Sequence, residues 1–178
     1  RWFETYWRYK AQIKDRNLSG GESSMSSLTR YQSHNLRWNA SYRASALFSF
    51  QSRIAYSHYN SELEANQNGV LLFQDVEYES RNDQFSLTAR YGVFDIDGFQ
   101  SRIYTYENDL LYAFSIPFFS DKGMRYYLLA KWEPARYLDF WLKIGQTNYR
   151  NREEVGSALN TIPGNKRTEV KAQIRLNF

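Results

Sequence analysis

The chain has 178 residues, 24% of them charged, and a formal net charge of +4. That charge is modest and spread out, with no basic block of the kind that marks nucleic-acid binding, and the lack of cysteine excludes disulfides, thiolate nucleophiles and Cys-zinc sites. Mean hydropathy is −0.70 although 18% of the residues are aromatic, and no run approaches the ~18 apolar residues that a membrane helix requires.

Alternation at period two dominates from the first residue onward. Residues 1–14 place Phe3, Trp7, Tyr9, Ala11 and Ile13 on one face and Glu4, Arg8 and Lys10 on the other. A Gly/Ser-rich loop follows. Residues 30–43 oppose Leu36, Trp38, Ala40 and Tyr42 to Arg37, Asn39, Ser41 and Arg43. After a short turn, residues 47–59 oppose Phe48, Phe50, Ile54 and Tyr56 to Ser49, Gln51, Arg53 and Ser57. The polar loop NSELEANQNG leads to residues 70–80, with Leu72, Val76 and Tyr78 against Asp75, Glu77 and Glu79. Arg81-Asn82-Asp83 reads as a tight turn before residues 84–94, where Phe85, Leu87, Ala89, Tyr91 and Val93 face away from Ser86, Thr88 and Arg90.

Beyond DIDGFQ, residues 101–116 keep Tyr104, Tyr106, Leu110, Tyr112, Phe114 and Ile116 in register. An IPFFSDKG turn precedes residues 124–132, and an EPAR turn precedes the strand of Leu138, Phe140, Leu142 and Ile144. A polar loop at about 150–165 leads to the last strand. The three prolines, Pro117, Pro134 and Pro163, all fall at expected turns, where a missing N–H does not break a ladder.

The terminal KAQIRLNF sets Val170, Ala172, Ile174, Leu176 and Phe178 on one face and Glu169, Lys171, Gln173, Arg175 and Asn177 on the other. A final aromatic after apolar residues at every second position has the form of an assembly signal for an outer-membrane strand: an apolar stripe for lipid and an edge for pairing. Low mean hydropathy with many aromatics fits strands that show lipid one face and water the other. The expectation is an all-β fold, an antiparallel transmembrane β-barrel or the C-terminal part of a larger one, of about 8–10 strands. It forms a single region over residues 1–178 in the outer membrane of a Gram-negative bacterium. The chain begins without an initiator Met or a signal peptide, so an N-terminal part of the full protein is expected to be missing.

A plain count gives nine strands. With the C-terminus periplasmic, the long loops 15–27 and 60–69 then fall on the wrong side. A three-residue hairpin at Glu107-Asn108-Asp109 removes the conflict and makes ten strands the preferred count, with both termini periplasmic. Phe3, Tyr42, Phe48, Tyr78, Phe85, Trp132 and Phe178 then form one girdle at the periplasmic boundary.

Charges of both signs are expected to point inward. Arg90, Asp75, Glu77, Glu107, Asp109, Lys131, Lys143, Lys171 and Arg175 are read as a lumen charge network, with Glu169 and Asp139 beside them. A small barrel holds little water, so such charges must pair, which favours a plugged lumen over a narrow selective pore. Catalysis needs a histidine near a serine or carboxylate. Only His34 and His58 are available, each follows a serine, and alternation puts both on the apolar side, as interfacial histidines. No catalytic, metal or cofactor site is expected.

The run SRIYTYENDLLYAFSIPFFSDKGMRYYLLAKWEP, with YLDFWLKIGQTNYRNREEVGSALNTIPGNKRTEVKAQIRLNF after it, resembles the C-terminal β-barrel region of helix-hairpin-helix domain-containing outer-membrane proteins of Bacteroidota-type bacteria. The likeness is most specific over about residues 85–178. It implies location and fold. In that family a signal peptide and helix-hairpin-helix repeats precede the barrel. Those repeats are not in this chain, so a DNA role transfers to no residue here, and the family brings no catalytic residues. The expected partners are outer-membrane lipid, the barrel assembly machinery during insertion and other outer-membrane proteins. The expected role is a structural or partner-binding component of an outer-membrane complex, with a narrow pore for small solutes or a polymer as the alternative and a hydrolase third.

Overall fold

The computed structural model describes residues 2–18, 27–156 and 161–178. The fold is all-β, and its single helical feature among the described residues is a 3-10 turn at Phe99–Ser101. The strands are β1 (Trp2–Leu18), β2 (Ser27–Arg43), β3 (Phe48–Ser61), β4 (Gln67–Glu79), β5 (Phe85–Ile96), β6 (Ile103–Tyr104), β7 (Phe118–Phe119), β8 (Asp121–Ala135), β9 (Leu138–Tyr149), β10 (Glu154–Val155), β11 (Ile162–Pro163) and β12 (Lys166–Leu176). Eight of them form one antiparallel sheet in the order β1-β2-β3-β4-β5-β8-β9-β12, while β6 pairs β7 and β10 pairs β11 in separate two-residue ribbons. Among the described residues β1 and β12 are the two edges of the sheet.

Period two holds throughout, because successive side chains of a strand point to opposite faces. One face is apolar and exposed. Its aromatics meet in a row near one end: Tyr42 with Phe50, Phe48 with Tyr78, Tyr78 with Phe85, and Trp132 with Phe140, at ring separations of 5.1–6.5 Å. The girdle read from the sequence thus shares one end and one face. The other face is covered by residues 97–120.

This insert corrects the strand count. Residues 101–116 supply no strand to the sheet, and β5 pairs directly with β8. The count is eight, not ten, and the reversal does not fall at Glu107–Asp109. The chain instead turns at Leu110–Ala113, closed by the Ala113 amide donating to the Leu110 carbonyl at 3.0 Å. Tyr112 takes a left-handed φ of 65° there, a strained choice for a bulky residue. Glu107 bridges Ser115, and β6 pairs β7 above them, so the insert is a narrow hairpin laid on the sheet. Eight strands also remove the loop-length conflict. Leu18 and Ser27, the connections 62–66 and 97–120, and Tyr149 and Lys166 lie at one end, and the tight turns at 44–47, 80–84 and 136–137 lie at the other. Trp2 pairs Arg43 and Leu176 pairs Leu138, which puts both termini at the tight-turn end.

Two prolines sit differently from expectation. Pro134 lies inside β8, at a register shift between Trp132 and Ala135, where a bulge spares the ladder the missing donor. Pro163 belongs to β11 and pairs Glu154.

An apolar cluster fixes the insert at the long-loop end. Ala55, Leu71, Phe73, Phe94 and Ile96 of the sheet pack with Ile103 and Phe119 of the insert. Each large side chain buried there contributes roughly 1.5–3 kcal/mol. Gly69 is needed at this junction, since a Cβ on it would stand 2.6 Å from the Ser101 carbonyl oxygen. Gly69→Ala is expected to cost about 1–3 kcal/mol, as overpacking does, and to speed proteolytic cutting within residues 97–120. Limited proteolysis of the detergent-purified chain measures this.

Candidate functional site

The covered face carries the charges anticipated from alternation, and the insert completes their pairing. Arg90 of β5 stands opposite Asp75 of β4 in the ladder. Its Nε and Nη2 donate to the two carboxylate oxygens at 2.5 and 2.6 Å, with side-chain exposures of 4% and 2%. The third arm of the guanidinium donates to the Tyr106 carbonyl at 2.6 Å, and its plane lies 3.8 Å from the centroid of Phe73. The fork geometry makes this pair directional as well as charged.

Glu107 is the centre of the second group. It is fully buried and accepts two bonds from Arg125, at 2.5 and 2.7 Å. Arg125 also donates to Glu169 at 2.6 Å and to the Thr147 hydroxyl at 2.9 Å. Lys143, equally buried, lies 3.5 Å from Glu107 and 3.3 Å from Asp109. Its ammonium sits 4.8 Å from the Tyr127 ring centroid and makes no hydrogen bond. Asp109 is shared with Lys171, which donates to it at 2.7 Å. Three cations from β8, β9 and β12 therefore converge on two carboxylates of the insert.

Smaller contacts continue along the hairpin. Glu77 accepts from Ser49 at 3.1 Å and from Asn108 of the insert at 3.2 Å. Arg53 donates to Asn39 and to Thr105 of the insert, at 2.7 and 2.8 Å. Arg175 pairs with Asp139 near the tight-turn end. Lys131 does not join this network. It pairs with Glu133 on its own strand, beside the Trp141 ring. Alternation sets Arg125 on the face of Tyr127 and Lys131 without marking it as a network member, and its partners Glu107 and Glu169 appear only in the fold. Glu107 and Asp109 reach their cations from the insert and not from a strand of the sheet.

Val170, Ala172, Ile174 and Leu176 line the exposed face of β12, opposite Ile144, Leu142, Phe140 and Leu138 of β9. Phe178 follows the strand, where the Asn177 amide donates to the Tyr137 carbonyl at 3.0 Å. His34 and His58 face each other across the β2–β3 ladder, on the exposed face. His34 Nδ1 shares a 2.7 Å bond with the Tyr9 hydroxyl, and His58 Nδ1 a 2.9 Å bond with Asn68 Oδ1. Ser33 and Ser57 point to the covered face, so neither serine reaches the imidazole that follows it. Among the described residues no three His, Asp or Glu side chains converge as a metal site. The arrangement is chemically a set of buried ion pairs, of which those to Glu107 and Asp109 tie the insert to the sheet. No family model, curated protein or solved structure matches this chain.

Proposed function

We propose that this chain is a transmembrane β-barrel region of a Gram-negative outer membrane, with an occluded lumen, serving as a structural or partner-binding component of an outer-membrane complex. The observation that carries this reading is the inversion of ordinary burial. Glu107 and Lys143 are 0% exposed, whereas Trp7 is 68% and Ile13 66% exposed. A water-soluble β domain buries its apolar face and solvates its charges. The reverse is favourable only where the outside is lipid. Strands of 11 to 17 residues are long enough for the ~9–11 residues of a tilted crossing. Tight turns at one end and long loops at the other agree with periplasmic and outer sides.

Packing supports partner binding over a free-standing barrel. An interior ringed by eight strands is about filled by its own side chains. Here the covered face carries a whole hairpin as well, which needs a wider ring. Bilayers also exclude open strand edges. On this reading β1 and β12 must be paired in the membrane, with each other or with strands of a partner.

Planar-bilayer recording tests the occlusion. The intact chain is expected to be silent, and replacing residues 103–118 by a short glycine-serine turn is expected to produce steady openings that scale with salt. Openings of that kind from the intact chain would favour the pore reading instead. Release from membranes without detergent would remove the barrel reading altogether.

A further inference from the structure

The covered face divides into two unlike halves. Across β5 to β12, Arg90, Arg125, Lys143 and Lys171 each meet a carboxylate. On β1 and β2 that pairing stops. Arg8 and Arg37 stand directly opposite each other in the ladder, both on the covered face, with Lys10 next to Arg8 on that side. None of the three has an ion pair or a side-chain hydrogen bond among the described residues. Like charges opposed across a sheet are destabilising, and no carboxylate of the described residues offsets these.

The three cations line a groove of about 660 Å³ between β1–β3 and the start of the insert. Among the described residues no Asp or Glu lines it. Arg102 forms the opposite wall, held 3.8 Å over the Phe99 ring while donating to the Tyr104 hydroxyl at 2.7 Å and the Phe99 carbonyl at 2.6 Å. Its charge is thus aimed by fixed partners. The remaining lining includes uncharged hydrogen-bonding groups such as Gln12, Asn35 and Gln100.

We propose that this groove binds an acidic saccharide, with the sugar's anionic group between Arg8, Arg37 and Lys10 and its hydroxyl groups on the amide side chains of the lining. Charge-assisted bonds hold a carboxylate or sulfate there. The amide side chains of Gln12, Asn35 and Gln100 match the hydroxyl groups of a sugar. The volume is that of a small-molecule site. A lipid headgroup fits poorly, because its acyl chains need an apolar path and the groove opens on the face opposite the apolar one. A single-stranded nucleic acid would need free ring faces in succession. Tyr31 and Tyr59 instead pack on each other at 5.4 Å, and Phe99 is capped by Arg102.

Isothermal titration calorimetry on the full chain in detergent micelles tests this with trigalacturonate, maltotriose and hexathymidylate. Trigalacturonate is expected to bind at least about tenfold more tightly than maltotriose, and more weakly as salt rises. Arg37→Gln and Arg8→Gln should each weaken it by about tenfold or more. Arg8 is exposed on an edge strand, so its variant keeps the test valid if Arg37→Gln misfolds. Arg30→Gln, whose native side chain pairs with Asp15 outside the groove, should bind as the unmodified chain does. Equal affinity for the two sugars, no loss in either arginine variant, or tighter binding of hexathymidylate overturns the proposal. The groove lies on the covered face beside the insert, so this inference rests on the barrel reading but does not need the insert to seal the lumen. Absent binding in a chain that is silent in bilayers overturns only this inference, and binding by a conducting chain overturns only the occlusion.

Discussion

Glu107→Gln is expected to lower the thermal midpoint of the detergent-solubilised chain by roughly 10 °C, corresponding to a loss of about 3–5 kcal/mol. The neutral amide keeps the size of the side chain but withdraws the charge that Arg125 and Lys143 share. Arg125 retains Glu169, and Lys143 retains Asp109 at 3.3 Å, so neither cation is wholly abandoned. Both lose their most buried partner, and Lys143 has no hydrogen bond to fall back on. The insert should loosen together with the fall in stability. Faster cleavage within residues 97–120 at temperatures well below the midpoint separates that effect from global unfolding. Asp95→Asn makes a fitting control. It breaks the Lys122 pair, whose side chains are 47% and 62% exposed and screened by solvent, and should leave the thermal midpoint close to that of the unmodified chain. Equal effects of the two substitutions would contradict the central role of Glu107.

The Arg90–Asp75 pair is the second site of large effect. Asp75→Asn leaves a buried guanidinium without its counter-charge, and an expected cost of about 3–5 kcal/mol follows. Arg90→Lys should recover little. An ammonium cannot bond both carboxylate oxygens and the Tyr106 carbonyl in one plane, nor stack on Phe73 as the guanidinium does. The double substitution Arg90→Met with Asp75→Leu removes both charges at once. It is expected to be more stable than either single loss of charge, because no unpaired ion remains in the buried site. Chemical-denaturant unfolding of the unmodified chain, Arg90→Met, Asp75→Leu and the double substitution gives the coupling between the residues. Additive costs would mean that the pair is not a unit.

Much of the fold was legible in the sequence because alternation is a local property. Each long strand, the exposed apolar stripe and the aromatic row at the tight-turn end follow from the period of two. Several strands run longer than the sequence signal. β9 continues from Ile144 to Tyr149, where Gly145, Gln146 and Asn148 interrupt the apolar register while the ladder with β8 and β12 continues. Leu71, Phe73, Phe94 and Ile96 were assigned no inward role, yet they share the covered face with Asp75 and Arg90 and anchor the insert. Their parity marks the face correctly. What they pack against depends on a segment far along the chain.

The insert marks the boundary between the two kinds of information. Residues 101–116 alternate as cleanly as any strand of the sheet, since any extended hairpin with one face against a partner must do so. Period two reports that the chain is extended and which side chains share a side. It does not report which neighbour supplies the hydrogen bonds. Alternation is enough for the all-β class, the two-faced strands, the shared face of Arg90, Lys143 and Lys171, and the apolar stripe of Val170, Ala172, Ile174 and Leu176. That β5 pairs β8, that the sheet has eight strands, and that Glu107 and Asp109 meet their cations from the covering hairpin is visible in the folded chain alone. Those outcomes rest on contacts between residues distant in sequence, whose energies no local pattern encodes.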